Sequence, residues 1–314
     1  MTIEGAALLF FDLVAGGLVL VLAWLCLMAR DAQRMITLFI AFGVLVGLVW
    51  VRLRAPDIAL AEAALGGVLT GALLLRSRTL FEVRRLVRPD MPIRLCAAVA
   101  ATFFAAALSW VWLTLPPAAP VDLGALTAEN MSASGVSHPV TAVLLNFRAF
   151  DTMMEMPVVL LAAIGCWMLG EARPASSPVR DNPLFQSLAR IVVPVLCVLA
   201  GYLLWLGSTA PGGAFQAGAV LAGTFILLLL AGIERKLGAP GALVWIRVGL
   251  VAGLAVFVSV AWAMGLSGRS MLEYPPGSAK PFILLIEVTL TISIGLTLAA
   301  LLLGGKPRRR TNQA

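Results

Sequence analysis

Residues 5–28 read GAALLFFDLVAGGLVLVLAWLCLM, a continuous apolar run in which Asp12 is the one charged side chain. A helix needs about 20 apolar residues to cross the hydrocarbon core of a bilayer. Runs of similar length recur along the chain, at 35–51, 58–76, 93–115, 150–170, 189–206, 214–233, 242–265 and 281–304. The sequence therefore predicts an all-α, polytopic transmembrane bundle of about nine helices.

The composition supports the same fold class. Hydrophobic residues make up 61% of the 314-residue chain and charged residues 12%, against roughly 45–50% and about 25% in soluble domains. A membrane β-barrel is disfavoured because its strands alternate apolar and polar residues, whereas these runs are continuous. No basic segment precedes the first run, so we expect it to remain as a helix and not to be a cleaved signal.

The basic residues predict the orientation. With nine spans and the N-terminus outside, 18 of the 23 Lys and Arg residues fall on the side of the C-terminus. Basic residues in short loops are retained in the cytoplasm, so we expect a cytoplasmic C-terminus and a bacterial cytoplasmic (inner) membrane location. The net charge of +7 then reflects topology and anionic lipid, and nucleic acid is not needed to explain it. The five basic residues on the predicted outer side are Arg52, Arg54, Arg148, Arg269 and Lys280.

Two polar breaks divide the chain into blocks of three, two and four helices. The break at 76–92 is strongly basic, and the break at 171–183 is rich in Pro and Ser. We expect block boundaries at 1–90, 91–180 and 181–314. The outer segment 116–139 has no clear periodicity, which predicts a surface loop.

Cysteine and histidine usage disfavours a resident metal or a redox cofactor. The four cysteines show no CxxC spacing and are interpreted as buried thiols. His138 is the only histidine and precedes a proline in a predicted loop. A histidine-based metal site or catalytic triad, and a ligand set for haem or an iron–sulfur cluster, are therefore not expected.

Acidic residues inside the spans are the first candidates for function, because a charge at the bilayer centre costs at least about 2.5–3.5 kcal/mol on insertion scales. Glu62 lies more than a turn inside the third span. Asp57 follows Pro56 at the start of that span, where it could serve as a helix cap or take part in function. Gly66, Gly67 and Gly71 follow Glu62 and permit close helix contacts.

A second candidate lies in the stretch 146–155, NFRAFDTMME. Arg148, Asp151 and Glu155 share one helix face at i, i+3 and i+7. An ion pair accounts for Arg148 and Asp151 and leaves Glu155 as a surplus acid, in surroundings that suit proton exchange. Pro157 frees a backbone carbonyl one turn earlier.

Glu287 is a third acid, a few residues into the last span, for which packing and transport are equally open. Asp12 ranks last because it lies near the outer interface. The segment 207–218, GSTAPGGAFQAG, interrupts the sixth and seventh spans. It is not a phosphate loop because no Gly-Lys-Ser/Thr follows, and it predicts a tight membrane turn.

These stretches resemble one known family. The stretch 54–62, RAPDIALAE, resembles the short three-helix component in the membrane arm of membrane-bound hydrogenases, which is similar to the C-terminal part of the large antiporter protein MrpA. The stretch 146–155 resembles the motif that follows it in MrpA. The turn 211–218, PGGAFQAG, and the span that contains Glu287 resemble MrpB. Nearly the whole chain thus resembles the Mrp/Mnh-type multisubunit cation/proton antiporters and the related membrane arms of hydrogenases and complex I.

The resemblance implies a transport role without enzymatic activity. It implies an ion or proton path lined or tuned by Glu62 and Glu155 and, more weakly, by Asp57, Asp151, Arg148 and Glu287. Na⁺ as cargo could bind transiently near Glu155 and Asp151. In the antiporters the first two blocks usually end the very large MrpA protein, which begins with a proton-channel bundle. Here they are fused to the MrpB-like block, so we expect as partners other Mrp-like or complex I-like membrane subunits, a separate proton-channel subunit and lipids.

Three functional hypotheses follow. The first is a membrane subunit of an Mrp-type Na⁺/proton antiporter. The second is a membrane subunit of a redox-driven or carbon-uptake complex that uses the same module, with its redox cofactors on soluble partners. The third is a structural scaffold whose acids make assembly contacts.

Overall fold

The structure, a computed structural model, describes residues 3–74, 90–116, 120–168, 182–232, 240–275 and 277–303, and all regular structure there is helical. The elements are α1 (Ile3–Met28), α2 (Ala32–Arg52), α3 (Pro56–Leu74), α4 (Met91–Thr114), α5 (Leu123–Ser134), α6 (Pro139–Ala142), α7 (Ala149–Met168), α8 (Pro183–Leu206), α9 (Ala214–Leu230), α10 (Pro240–Leu266) and α11 (Ala279–Leu303). Two stretches are π-helical: Glu62–Leu69 within α3, and Val143–Phe147 between α6 and α7. The predicted polytopic helical bundle is confirmed.

The predicted spans correspond to helices in the described part of the chain. Among the described residues, eight helices are long and apolar enough to cross a membrane, and α9 is an apolar helix of 17 residues. The α8 helix begins at Pro183, six residues before the predicted start at 189. Its N-cap Asn182 accepts hydrogen bonds from the backbone N–H groups of Leu184 and Phe185. This cap and Pro183 at the first helical position start the helix ahead of its fully apolar portion.

The segment predicted as a surface loop, 116–139, contains helix α5, so that prediction was incomplete. Asp122 caps α5 by accepting a hydrogen bond from the backbone N–H of Ala125 at 3.0 Å. Gly135 ends α5 with φ of +78°, a conformation that favours glycine. Ser134 is buried, and its carbonyl accepts a hydrogen bond from the Asn146 amide at 2.9 Å. Gly135 also lies against Ala279, so the segment is attached to the bundle beside the start of α11.

Helix α11 is the centre of the bundle. It packs against α9 and α10 and also contacts α7. Glycines permit these contacts: a methyl group added to Gly253 of α10 would lie 2.8 Å from Ser293, and one added to Gly218 of α9 would lie 2.8 Å from Ile294. The fully buried side chains of α11 include Ile283, Ile286, Glu287, Leu290, Ser293, Ile294 and Thr297. A residue with the wrong volume on this helix would disturb several neighbours at once.

The first three helices form a second group. Helix α2 packs against α1 and α3, with Gly43 of α2 against Gly67 of α3. Asp12 of α1 forms an ion pair with Arg52 at 2.8 Å, so the acid ranked last has a partner. The π-helical part of α3 contacts α9, which joins this group to the α11 centre. Helix α4, by contrast, has no buried residue among those that the structure describes.

Four connections meet on one side of the bundle. The segment after α5 reaches the turn after α8, where the backbone N–H of Ser137 donates to the carbonyl of Ser208 at 3.0 Å. Gly135 lies against Ala279 at the start of α11, and His138 contacts the start of α3. Which side faces the cytoplasm stays a prediction, as do the block boundaries. The two polar breaks fall largely outside the described residues.

Candidate functional site

A cavity of about 850 Å³ opens between the two helix groups. Its walls come from the start of α3, from α6 and the π-helical stretch after it, from α7, from the turn before α9 and from α11. Four of the acids singled out in the sequence line it: Asp57, Asp151, Glu155 and Glu287. Its other described lining residues are mainly apolar, and none of them is Lys, Arg or His.

Asp57 is held by two separate parts of the chain, the segment that contains His138 and the turn before α9 with the start of that helix. Its Oδ1 accepts a hydrogen bond from the backbone N–H of Gly212 at 3.2 Å, and its Oδ2 lies 2.9 Å from Nε2 of His138. Its carbonyl accepts a hydrogen bond from the Gln216 amide at 3.3 Å. Asp57 is 8% exposed. It therefore makes tertiary contacts and is more than the helix cap that the sequence left as an alternative.

The turn between α8 and α9 is shaped by glycines. Gly213 has φ of +118°, and its N–H donates to the carbonyl of Leu203 at 2.9 Å. A methyl group added to Gly207 would lie 2.6 Å from the Cα of Gly213, so the two backbones require the absence of a side chain. The Thr141 hydroxyl donates to the carbonyl of Gly207. The predicted tight turn is thus also a binding surface for Asp57.

The π-helical stretch before α7 exposes carbonyls that other segments bind. The backbone N–H of Arg148 donates to the carbonyl of Val143 at 2.8 Å, five residues earlier. The Thr152 hydroxyl donates to the carbonyl of Leu144 at 2.7 Å, and the Tyr274 hydroxyl donates to that of Leu145 at 3.0 Å. Burial raises the pKa of the Tyr274 hydroxyl, which keeps it protonated as a donor. Such wide turns recur at functional sites.

The predicted pair of Arg148 and Asp151 forms, with Nη2 and Oδ2 2.6 Å apart, and both side chains are largely exposed. Glu155 also lines the cavity from α7, and no salt bridge of the described residues includes it. Arg148 itself is not among the lining residues. The ion pair therefore neutralises Asp151 at the rim and leaves Glu155 as the surplus acid.

Glu287 reaches the cavity from the buried face of α11. It is 2% exposed, and its Oε2 has no hydrogen-bond partner among the described residues. Lys280, one possible counter-charge in the sequence, is exposed at the start of the helix. A buried carboxylate without a counter-charge is strongly disfavoured unless a proton or a cation neutralises it.

Three family models match the chain in order along its length. Residues 17–78 match MbhD and residues 90–184 match MbhE, two components of MBH. Residues 184–304 match the domain related to the MnhB subunit of Na⁺/H⁺ antiporter. The probable K⁺/H⁺ antiporter A/B protein of Rhizobium meliloti (strain 1021) is 27% identical over 71% of this chain and 26% of its own length.

Across these three matched segments, the chain is similar to A/B-like subunits of the Mrp type. The resemblance stated from the motifs is thereby confirmed, as is the assignment to multi-pass membrane proteins. The chain spans about a quarter of the length of its Rhizobium relative. That relative is named as part of a transporter, which agrees with the expected transport role.

Solved structures share the fold. A chain of the Mrp complex from Dietzia sp. DQ12-45-1b superposes with a TM-score of 0.76, at 23% identity, over 96% of this chain and 35% of that chain. A chain of the membrane-bound sulfane sulfur reductase, an archaeal respiratory membrane complex, gives a TM-score of 0.55 at 22% identity. That match covers 67% of this chain and 97% of the other.

Glu62, the acid that stands out in the sequence, is not among the described residues that line the cavity. It begins the π-helical part of α3, and its carboxylate lies over Gly66, where a side chain would collide with it. Gly67 and Gly71 instead face α2. A role for Glu62 in an ion path stays a prediction.

His138 is the site residue that sequence reasoning missed. Its ring lies 2.9 Å from Asp57, 81 positions away in the chain. Pro139 after it opens a helix, which hinted that His138 belongs to an ordered start rather than a loop. No local sequence pattern predicts that its partner is Asp57. Among the described residues, no group of three or more His, Cys, Asp or Glu side chains is arranged to hold a metal ion.

Proposed function

We propose that this Mrp-type protein works within a multisubunit monovalent cation/proton antiporter of the bacterial cytoplasmic membrane, where its cavity forms part of the ion path. Its carboxylates would take up and release a proton or a cation in alternation, and no covalent chemistry is required. Other Mrp-like membrane subunits are the expected partners. A separate proton-channel subunit stays a prediction, and so does the identity of the cation.

One observation carries the proposal. Acids from α3, α7 and α11 line one cavity, and the other described residues that line it are mainly apolar. Polar and ionisable groups inside a membrane protein are expensive to insert and commonly mark ion paths. Asp57 contacts His138 and Asp151 pairs with Arg148, whereas Glu155 and Glu287 take part in none of the described salt bridges. These two acids are therefore the best placed to exchange their neutralising ion.

The first test replaces Glu155 by Gln in the assembled complex. Antiport would be followed in inverted vesicles as cation-induced collapse of a preformed proton gradient, after the complex has been shown to contain all subunits. We expect loss of exchange, because the amide cannot release a proton. Glu129→Gln is the matched control, since Glu129 is exposed on α5 and does not line the cavity. Full activity of Glu155→Gln would remove this residue from the mechanism.

A redox- or carbon-uptake-coupled complex is the second candidate. The matches to MbhD and MbhE and the likeness to a respiratory membrane complex support it. Copurification under mild detergent distinguishes the two. Partners that carry flavin or iron–sulfur clusters would favour the redox-driven complex, and antiporter-like partners alone would favour the first proposal.

A purely structural role makes a different prediction. If the acids serve assembly alone, Glu62→Gln and Glu155→Gln would reduce the amount of intact complex. Exchange per intact complex would then be unchanged. Quantifying subunits and flux in the same vesicles separates the two effects.

A further inference from the structure

The side-chain oxygens of Glu287 and Gln216 both lie near Gly213. A methyl group placed on Gly213 would lie 3.3 Å from Oε1 of Glu287 and 3.8 Å from Oε1 of Gln216. Both side-chain oxygens thus approach one point above the backbone of the turn. The absence of a side chain on Gly213 keeps that space open.

The orientation of Gln216 is set by Asp57. Its amide nitrogen donates to the carbonyl of Asp57 at 3.3 Å, so its oxygen is directed away from that carbonyl. This oxygen can only accept a hydrogen bond, as can an ionised carboxylate. Two such acceptors near one point attract each other only if a proton or a cation binds to both. The hydrogen bond to Asp57 therefore leaves the Gln216 oxygen near Gly213, where Oε1 of Glu287 also lies.

The charge balance points the same way. Glu287 is 2% exposed, its Oε2 has no partner among the described residues, and none of the described salt bridges reaches it. The described lining residues include three further acids and no Lys or Arg. Of these acids, Asp57 contacts His138 and Asp151 pairs with Arg148, so neither counter-group serves Glu287. Hard cations bind through oxygen ligands of this kind, namely carboxylate and amide oxygens.

We propose that Glu287 and Gln216, next to Gly213, form a binding site for a monovalent alkali cation, Na⁺ or K⁺, within the cavity. A proton competes with the cation for the Glu287 carboxylate, so each ion displaces the other. The site rests on the proposed function and deepens it by naming where the cation binds. Asp57 acts as a positioning residue, because its carbonyl orients Gln216.

Equilibrium binding of ²²Na⁺ and of ⁸⁶Rb⁺, a tracer for K⁺, to the purified complex tests the site. For the cation that the wild-type complex binds, we expect Glu287→Gln to weaken binding at least roughly tenfold, which corresponds to about 1.4 kcal/mol. Gln216→Leu removes one neutral ligand and should weaken binding less. Glu129→Gln, outside the cavity, should bind as the wild type does.

A second measurement needs no variant. Dicyclohexylcarbodiimide modifies protonated carboxyl groups in apolar surroundings, and mass spectrometry of the peptide that contains Glu287 reports the modified fraction. We expect Na⁺ or K⁺ to protect Glu287 in the wild-type complex in proportion to its occupancy. Choline at the same ionic strength should give no protection.

The two proposals fail in different ways. Labelling of Glu287 that neither cation changes, together with wild-type binding in Gln216→Leu, would overturn the cation site. If Glu155→Gln still abolished exchange, the proposed function would survive that result. Full exchange in the Glu155 and Glu287 variants alike would overturn the proposed function itself.

Discussion

Asp57 and Glu287 line the same cavity and are both buried, yet their surroundings differ. Asp57 is bound by His138 and by the backbone of Gly212, and its carbonyl binds Gln216. Glu287 has an oxygen without any partner among the described residues. One acid thus joins segments that are distant in the chain, and the other offers an unused charge to the cavity.

This difference indicates that the two acids have separate roles within one site, Asp57 in stability and Glu287 in transport. A carboxylate with several partners is stabilised where it lies, and releasing it would leave its partners unpaired. A carboxylate without partners can change its bound ion without breaking protein contacts. We therefore expect substitutions of Asp57 to affect stability, and substitutions of Glu287 to affect ion exchange.

The largest expected change in stability is that of Asp57→Ala. The substitution leaves His138 and the N–H of Gly212 without their acceptor in a buried place, which costs about 2–3 kcal/mol. The midpoint of thermal unfolding of the purified complex should fall accordingly. Glu287→Gln should leave the midpoint unchanged or raise it, because it removes a buried charge that has no partner.

His138→Gln sharpens the same comparison. The amide can still donate to Asp57, so we expect a smaller loss than in Asp57→Ala. A loss of stability in Glu287→Gln as large as that in Asp57→Ala would contradict the division between the two acids.

A smaller effect is expected from Gly213→Ala. At φ of +118° an alanine is strained by about 1–3 kcal/mol, and its methyl group would lie 3.3 Å from Oε1 of Glu287. Gly268→Ala is the matched control, since Gly268 has φ of +80° and open space around it. Weaker cation binding in Gly213→Ala but not in Gly268→Ala is the expected result. Equal binding in both variants would place the cation elsewhere in the cavity.

The smallest effect is expected from Tyr274→Phe, in the connection before α11. Loss of the hydrogen bond to the carbonyl of Leu145 costs about 1 kcal/mol. Because burial raises the pKa of Tyr274 in the folded state, its stabilising contribution is complete below about pH 10, the ordinary tyrosine value, and is lost above it. Unfolding midpoints measured across that range should fall less steeply in the variant than in the wild type. Parallel curves would exclude this role.

Much of the fold followed from the sequence. The apolar runs predicted the helices because the bilayer imposes their length and composition. The start of α8 and the helix α5 were missed, although Asn182, Asp122 and Gly135 are ordinary capping residues. Both features depend on local hydrogen bonds at helix ends, to which a search for apolar runs is insensitive.

The site was predicted in part. Asp57, Asp151, Glu155 and Glu287 were selected because membranes disfavour charged side chains, and they share one cavity. Glu62 was selected by the same rule, yet its carboxylate lies over Gly66, outside that cavity. The depth of an acid in a predicted span indicates that its charge must be stabilised by the protein. The direction in which its side chain points depends on how the neighbouring helices pack.

By itself the sequence determined that this chain lies in a membrane, where its long apolar helices lie and which acids require explanation, because the cost of polar groups in lipid acts on each segment separately. The tertiary structure decided which acids are satisfied. His138 reaches Asp57 across 81 positions, and the Gln216 amide donates to the carbonyl of Asp57 across 159 positions. Such pairings depend on how the helices pack, because the local sequence around one residue does not specify which distant residue will contact it.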